Sequence, residues 1–530
     1  MIALDKRQTK TMVAVHGWSG ILLGLLLYAV VLTGTAAVFA EEIGAWSSGH
    51  TQSGSVFEQP IDAAVRRLAA RTPEKYHDDI NIFEIGDRRL GVFFHRHELE
   101  PDGTPVDNGI YYQIDGNGQV AKALHGTSEE VFGPRNDDAL SSFLVDTHVR
   151  LHVPNPWGLI LTGIVGLVLL VAAISGLLIH RHLFRDIFTL RRKSSAALAD
   201  RDRHSVAGTW SLPFAFVLAF TGSFFSFFGT VGVPVVAAAA FGGNVQALSE
   251  AIFGLPGKAD PAPRNLGNLD GVMADAISRT GAAPTFAIIE KFGRADATVT
   301  TFHPPAASRI DPVTLLYNGA TGAFQRVKPS IGAIPSVGGT LSAIMAPLHF
   351  GNFAGLASKA AWFGLGFAMC YVIYTGLRLW IVRRRADARS LDWLERTLIV
   401  VAFGLPFALG TCAAAFFLAV GHDAAVYWTP AGFLAGCALA IATGALCRTP
   451  EALVRVLQGG TGAVLGLLIP LRLAAADGPG WWEAIRAGSP VIVGLDLVFM
   501  LSAAWLLGLA LRSPGLGLKQ GGTRAQAAQA

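Results

Sequence analysis

Four histidines recur in a pattern that a membrane protein has little reason to keep unless they bind something. His16-x-x-x-Gly20 precedes Thr33-Gly34, and His204-x-x-x-Gly208 precedes Thr221-Gly222, with Thr seventeen positions after His in both. Leu151-His152-x-x-Asn155-x-x-Gly158 leads to Ser175-Gly176, and Leu348-His349-x-x-Asn352-x-x-Gly355 leads to Thr375-Gly376. Ionisable side chains inside a bilayer are costly and usually functional. Neutral imidazole is a good axial ligand for haem iron. A b-type haem between two helices needs one histidine from each at matching depth, apolar walls and small residues where the macrocycle approaches. The repeat suggests the pairs His16–His204 and His152–His349, with Gly20 and Gly208 clearing space. Any one of these histidines alone reads more simply as a partner for headgroups or backbone carbonyls; the pairing favours ligation. His148 is placed to replace His152 or to line a substrate opening, and Arg150 beside it to attract an anion or to anchor the interface. Asn155 and Asn352 read as helix caps.

The elements that must carry these residues are transmembrane helices. The chain has 530 residues, of which 52% are hydrophobic and 15% charged. That apolar content exceeds what a soluble core hides, and a span needs about 20 apolar residues. Eight runs qualify, and the seventh (461–475) is the weakest because it is short and contains Pro470. The first run is long and lacks a small-x-small cleavage site before Glu41-Glu42, so it reads as a retained span.

The expected organisation is a span at 12–39, an exported segment at 41–150 and a span at 155–180. A basic loop at 181–204, a span at 205–229, a second exported segment at 230–345 and a span at 348–382 follow. A four-helix extension (394–511) and a tail (512–530) complete the chain. Lys6, Arg7, Lys10, Arg181, Arg185, Arg191, Arg192, Lys193, Arg383, Arg384, Arg385 and Arg512 all fall on one side of this plan. The positive-inside rule therefore puts both termini in the cytoplasm. The net charge of +4 follows from that asymmetry and implies no nucleic-acid partner. All four cysteines lie in or beside spans, so the exported segments have no disulfide framework. There is no Walker A, no HExxH and no Gly-x-Gly-x-x-Gly after a strand.

The exported segments repeat too. Each reads as a helix (around Val65 and Val272), two strands (80–85 and 90–94; 286–290 and 298–302) and a hairpin (111–120; 315–324). The fold class is thus a polytopic α-helical membrane protein of about eight spans with two small α+β domains, the first four spans being two copies of helix, domain, helix.

These motifs, with Gly208-Thr-Trp210-Ser-Leu-Pro213 and the arginines after Thr375-Gly376, resemble the PepSY-associated transmembrane helix family over roughly residues 10–385. The resemblance implies PepSY-like periplasmic domains in a bacterial inner membrane and, as in the family's ferric-siderophore reductases, haem b (two groups) on His16, His204, His152 and His349. It also implies electron transfer from a quinol or cytoplasmic reductase to a periplasmic Fe(III)-siderophore, which releases the iron. His148 and Arg150 would then stand on the substrate side. The chain adds four helices beyond the simplest members of the family. A PepSY-domain regulator of periplasmic peptides or proteases is the alternative. A transporter is a third reading, disfavoured because the two copies share one orientation.

Overall fold

The computed structural model describes residues 4–49, 54–86, 88–99, 105–116, 118–180, 188, 196–253, 259–306, 309–332, 334–385, 391–475 and 478–512. The charges at Arg181, Arg185, Arg191, Arg192 and Lys193, and residues 513–530 of the tail, lie outside the described residues.

Eight helices are long and apolar enough to cross a membrane: Lys6–Ala37, Trp157–Ile179, Leu198–Phe241, Gly355–Arg385, Asp392–His422, Ala425–Leu446, Pro450–Ala474 and Pro490–Leu511. They are called spans one to eight. The first four form one bundle, in which span one packs on spans two and four, and span three does the same. Several expected boundaries move. Span three starts at Leu198, inside the stretch expected as a basic loop, and span four starts at Gly355 rather than at 348, so His349 lies on the preceding helix Val337–Phe350. Span seven starts at Pro450 rather than at 461, because Thr449 caps it through the Ala452 N–H and Pro450 suits the first helical turn. Span three continues through a π turn at Phe228–Gly232, so chain assigned to the second exported segment is still helical at Phe241.

The two α+β segments are not separate domains. Their strands are β1 (Asp79–Glu84), β2 (Leu90–Leu99), β3 (Pro105–Ile114), β4 (Val120–Thr127), β5 (Phe286–Glu290), β6 (Thr298–His303), β7 (Val313–Asn318) and β8 (Phe324–Lys328). They form one antiparallel sheet in the order β4-β3-β2-β1-β5-β6-β7-β8. The copies join where β1 pairs with β5, Asn81 opposite Ile288. Each copy alone would leave that edge with unpaired N–H and C=O groups; joining them removes the liability.

One face of the sheet packs Ile80, Ile82, Val92, Phe94, Ile289 and Tyr317 against the helices Asp62–Ala69 and Leu269–Thr280. Those helices cap each other across the two copies. Asp270 accepts from the Ile61 and Asp62 N–H groups (2.7 and 2.9 Å), and Asp62 accepts from the Leu269 N–H (3.2 Å). Such caps contribute about 1 kcal/mol each.

Spans five to eight hold the largest buried charge pair. Arg472 and Asp496 are 1% and 0% exposed and 2.5 Å apart. Trp46 and Trp481 each donate an indole N–H to Asp496 (2.8 Å), and the Pro479 carbonyl accepts from Arg472 (2.9 Å). The pair thus ties spans seven and eight to the short helix Ala40–Ser48 that follows span one. Lys359 on span four reaches the same helix, with Glu41 at 3.0 Å and Glu42 at 2.7 Å. These contacts give Asp496 a structural role that its sequence context did not suggest.

Breaking a buried pair on one side strands a charge, at a cost of about 3–5 kcal/mol. Arg472→Met should therefore lower the detergent-solubilised protein's Tm markedly. The double variant R472M/D496N should lose much less, as measured by thermal unfolding.

Candidate functional site

The bundle of spans one to four brings the conspicuous histidines together in two pairs. The His16 and His204 ring centroids are 6.0 Å apart with planes at 63°. At the other end of the bundle, His148 and His349 are 6.1 Å apart with planes at 26°. The seventeen-residue spacing read from spans one and three corresponds to a rise of about 25 Å. That is close to the thickness of a hydrocarbon core, about 30 Å. The two pairs therefore sit toward opposite ends of the membrane-crossing bundle.

The first pair was legible from the repeat; the second needs a correction. His349 faces His148, not His152. His148 lies on the helix Ala139–Arg150, which ends as Leu151 and His152 enter the left-handed region (φ 54° and 55°). That reversal carries the His152 ring away, to stack on Phe143 (4.4 Å) and to bond Thr147 Oγ1 through Nε2 (2.8 Å). The corresponding helix of the second copy, Val337–Phe350, ends at left-handed Gly351, and His349 lies just before that end. Both His148 and His349 therefore lie in the last turn of the helix that precedes a span, whereas matching the Leu-His dipeptides aligned His349 with His152.

Each paired imidazole is held by the same device. His16 Nδ1 lies 2.9 Å from the Ala172 carbonyl, and His204 Nδ1 lies 2.9 Å from the Val372 carbonyl. His148 Nδ1 lies 2.9 Å from the Val30 carbonyl, and His349 Nδ1 lies 2.9 Å from Thr221 Oγ1. The first three can only be donating N–H groups, which fixes the proton on Nδ1 and leaves Nε2 with its lone pair. Among the described residues none of the four Nε2 atoms has a hydrogen-bond partner.

The glycines of the repeat seat the rings. A Cβ at Gly176 would come within 3.3 Å of His16 Cε1, and one at Gly376 within 2.9 Å of His204 Cε1. One at Gly34 would reach 2.6 Å from His148 Cε1, and one at Gly222 would reach 3.1 Å from His349 Cε1. The adjacent Ser175 and Thr375 hydroxyls lie 3.3 and 3.4 Å from the Nδ1 atoms of His16 and His204. All four hydroxyl-glycine dipeptides of the repeat are thus histidine seats, a role the sequence reading did not assign. Gly20 and Gly208 differ: a Cβ at Gly20 would meet no atom within 4 Å, and one at Gly208 only Val372 Cγ1 at 3.8 Å.

The remaining candidates fall away from these pairs. Arg150 is a bidentate partner of Asp146 (3.1 and 2.6 Å), so its charge is largely neutralised. Asn155 makes no capping bond to span two, whose cap position is Pro156. In span four, Ser358 instead accepts from the Ala354 N–H (2.9 Å) and donates to Gly351. Trp18 and Trp210 are 57% and 55% exposed, as a membrane-interface belt requires. Phe225 approaches the His349 ring edge-on at 5.6 Å and stacks with Phe350 at 6.1 Å, giving that pair an aromatic wall.

Two imidazoles from different helices at that separation, each with Nε2 free of a hydrogen bond, are side chains that could hold a haem iron between them.

The PepSY-associated TM region model matches residues 13–383, spans one to four and the whole sheet. The chain belongs to that family. An uncharacterized protein of Pseudomonas aeruginosa is 29% identical over 315 residues, covering 55% of this chain and 74% of the relative. The match to the PepSY-associated family ends with span four, so spans five to eight are an addition to the family's core. For this PepSY-associated protein, Gly34→Val should push against the His148 ring and cost about 1–3 kcal/mol by overpacking. Gly20→Ala should leave thermal stability unchanged or slightly higher, since it gains helix propensity without a clash.

Proposed function

We propose that this membrane protein is a haem-b oxidoreductase that passes electrons across a bacterial inner membrane to a periplasmic Fe(III)-siderophore. The observation that carries the reading is the close pair of imidazoles at each end of the bundle, each fixed through Nδ1 with Nε2 left free of a hydrogen bond among the described residues. His16 and His204 would hold one haem, and His148 and His349 the other. When bound, haem b supplies one-electron redox chemistry at its iron.

The chain's own contribution is positional and electrostatic. The Ala172, Val372 and Val30 carbonyls and the Thr221 hydroxyl orient the four rings, and partners of that kind raise ligand basicity. The glycine seats let each ring lie close against the neighbouring helix. Gly20 and Gly208 leave room beside the first pair for a flat ligand. Leu27, Leu32, Leu169 and Phe214 in the bundle core keep water from the space between the two ends.

In the proposed orientation both termini are cytoplasmic and the eight-stranded sheet is periplasmic. The donor, a quinol or a cytoplasmic reductase, would meet the His16–His204 end. One electron delivered at the His148–His349 end would convert the Fe(III) chelate to Fe(II), which hydroxamate- or catecholate-type oxygen donors hold less tightly.

Purified protein should contain about two b-type haems per chain by the pyridine haemochrome assay, and the dithionite-reduced protein should be reoxidised by a ferric siderophore. H16A or H204A should remove one haem, and H148A or H349A the other. H152A should leave the count at two, which separates the structural pairing from the Leu-His alignment. A preparation that stays colourless after growth with haem precursor would overturn the reading.

A further inference from the structure

A second group of metal-ligating side chains lies well away from the spans, on the sheet. His95 and His97 alternate on β2 and therefore share one face, with His97 directly opposite Asp107 on β3 and His95 directly opposite Asp79 on β1. This is the face away from the main core, the one that carries Phe93 and Tyr111. His97 Nδ1 is 2.6 Å from Asp107 Oδ1, and His97 Nε2 is 3.0 Å from Asp79 Oδ2. His95 Nδ1 stands 3.8 Å from the same Asp107 oxygen, outside hydrogen-bonding range. One ligand atom from each of His95, His97 and Asp107 lies within 4.8 Å of the other two.

The decisive feature is His95. It is 3% exposed, stacked on Phe93 at 4.6 Å, and neither of its ring nitrogens has a hydrogen-bond partner. Leaving a buried polar group unpaired costs about 1–3 kcal/mol. The second copy shows what a merely structural buried histidine looks like on this sheet. His303 on β6 is 2% exposed, and its two nitrogens lie 2.8 Å from the Ala282 carbonyl and 2.9 Å from Thr301 Oγ1. The first copy has a histidine buried to the same degree with neither bond, pointed toward a carboxylate and a second imidazole. Glycine at position 109, across from His95, keeps the strands close there: a Cβ would meet the Phe94 carbonyl at 1.9 Å and the His95 Cβ at 2.8 Å.

We infer that His95, His97 and Asp107 form a binding site for a divalent first-row transition-metal ion, with Asp79 as the outer partner of His97. Two imidazoles and one carboxylate are a donor set for Zn(II) or Fe(II), with positions left for water. His97 would bind the ion through Nδ1, the nitrogen facing Asp107, while its Nε2–H donates to Asp79. That is the carboxylate–histidine–metal arrangement that orients a ligand ring and strengthens it. The ion would take up the lone pair that the sheet leaves without a donor. The site stands independently of the haem reading. If that reading also holds, Fe(II), the product of the proposed reduction, belongs to the class of ion this donor set accepts.

The test uses the full-length protein in detergent, stripped of metal and titrated with Zn(II) against a chromophoric chelator and with Co(II) by visible absorption. One tight equivalent is expected, with the Co(II) spectrum of a low-coordinate nitrogen–oxygen site that Zn(II) displaces. His95→Ala and Asp107→Asn should abolish that equivalent, and Asp79→Asn should weaken it by about tenfold, the usual size of an outer-partner effect. His97→Ala keeps the test informative if the buried H95A variant fails to fold, because the His97 side chain is 70% exposed and packs no core. No tight equivalent in the wild type would overturn the inference and leave an ion network of His97 between two carboxylates. Binding that persists undiminished in both H97A and D107N would overturn it equally, since the ion would then sit elsewhere. Haem content is read separately and affects none of these outcomes.

Discussion

A histidine placed among membrane helices must hydrogen-bond one ring nitrogen, and the way this is done governs the rest of the bundle. Water is scarce there, so the donor has to be met by a carbonyl or hydroxyl from a neighbouring helix. His16 finds Ala172 and His204 finds Val372, and both bonds cross from one span to the next in the pair. His148 reaches Val30 on span one, and His349 reaches Thr221 on span three. Every one of these bonds is therefore also a tie between helices, and it sets which ring nitrogen is left free. The glycines must lie where they do because a ring can approach a neighbouring backbone only where no Cβ intervenes.

The duplication works as an architectural device. Two copies of helix, α+β unit, helix bring an imidazole pair together at each end of the bundle. Outside the spans the same duplication closes the β1–β5 edge and produces the reciprocal Asp62–Asp270 capping. A single copy would have neither a complete imidazole pair nor a protected sheet edge. The two copies have nevertheless diverged. One carries a satisfied buried histidine on its sheet at His303, and the other an unsatisfied one at His95.

The four added helices are bound to this core through Ala40–Ser48, by Trp46 on Asp496. Lys359 with Glu41 and Glu42 fixes the same helix to span four. Charge pairs at such depth contribute little net stability compared with apolar replacements, but they make the docking geometry specific. Through these contacts the added helices and span four hold the short helix that follows span one.

The sequence by itself determined the number of spans, the duplicated unit, the succession of helix, strands and hairpin within each copy and the His16–His204 pair. These rest on local properties: apolar length, alternation, turn chemistry and a spacing preserved along straight helices. It did not determine the partner of His349, because two histidines four residues apart straddle a helix end. Only the left-handed turn at Leu151 and His152 decides which of them stays with the bundle. Nor did it show that the two α+β units share one sheet, since β1 and β5 are about two hundred residues apart and any exposed edge has the same pairing groups. The His95, His97 and Asp107 cluster lay hidden for a related reason. Its members sit on two strands, and register, a property of the folded sheet alone, puts them on one face.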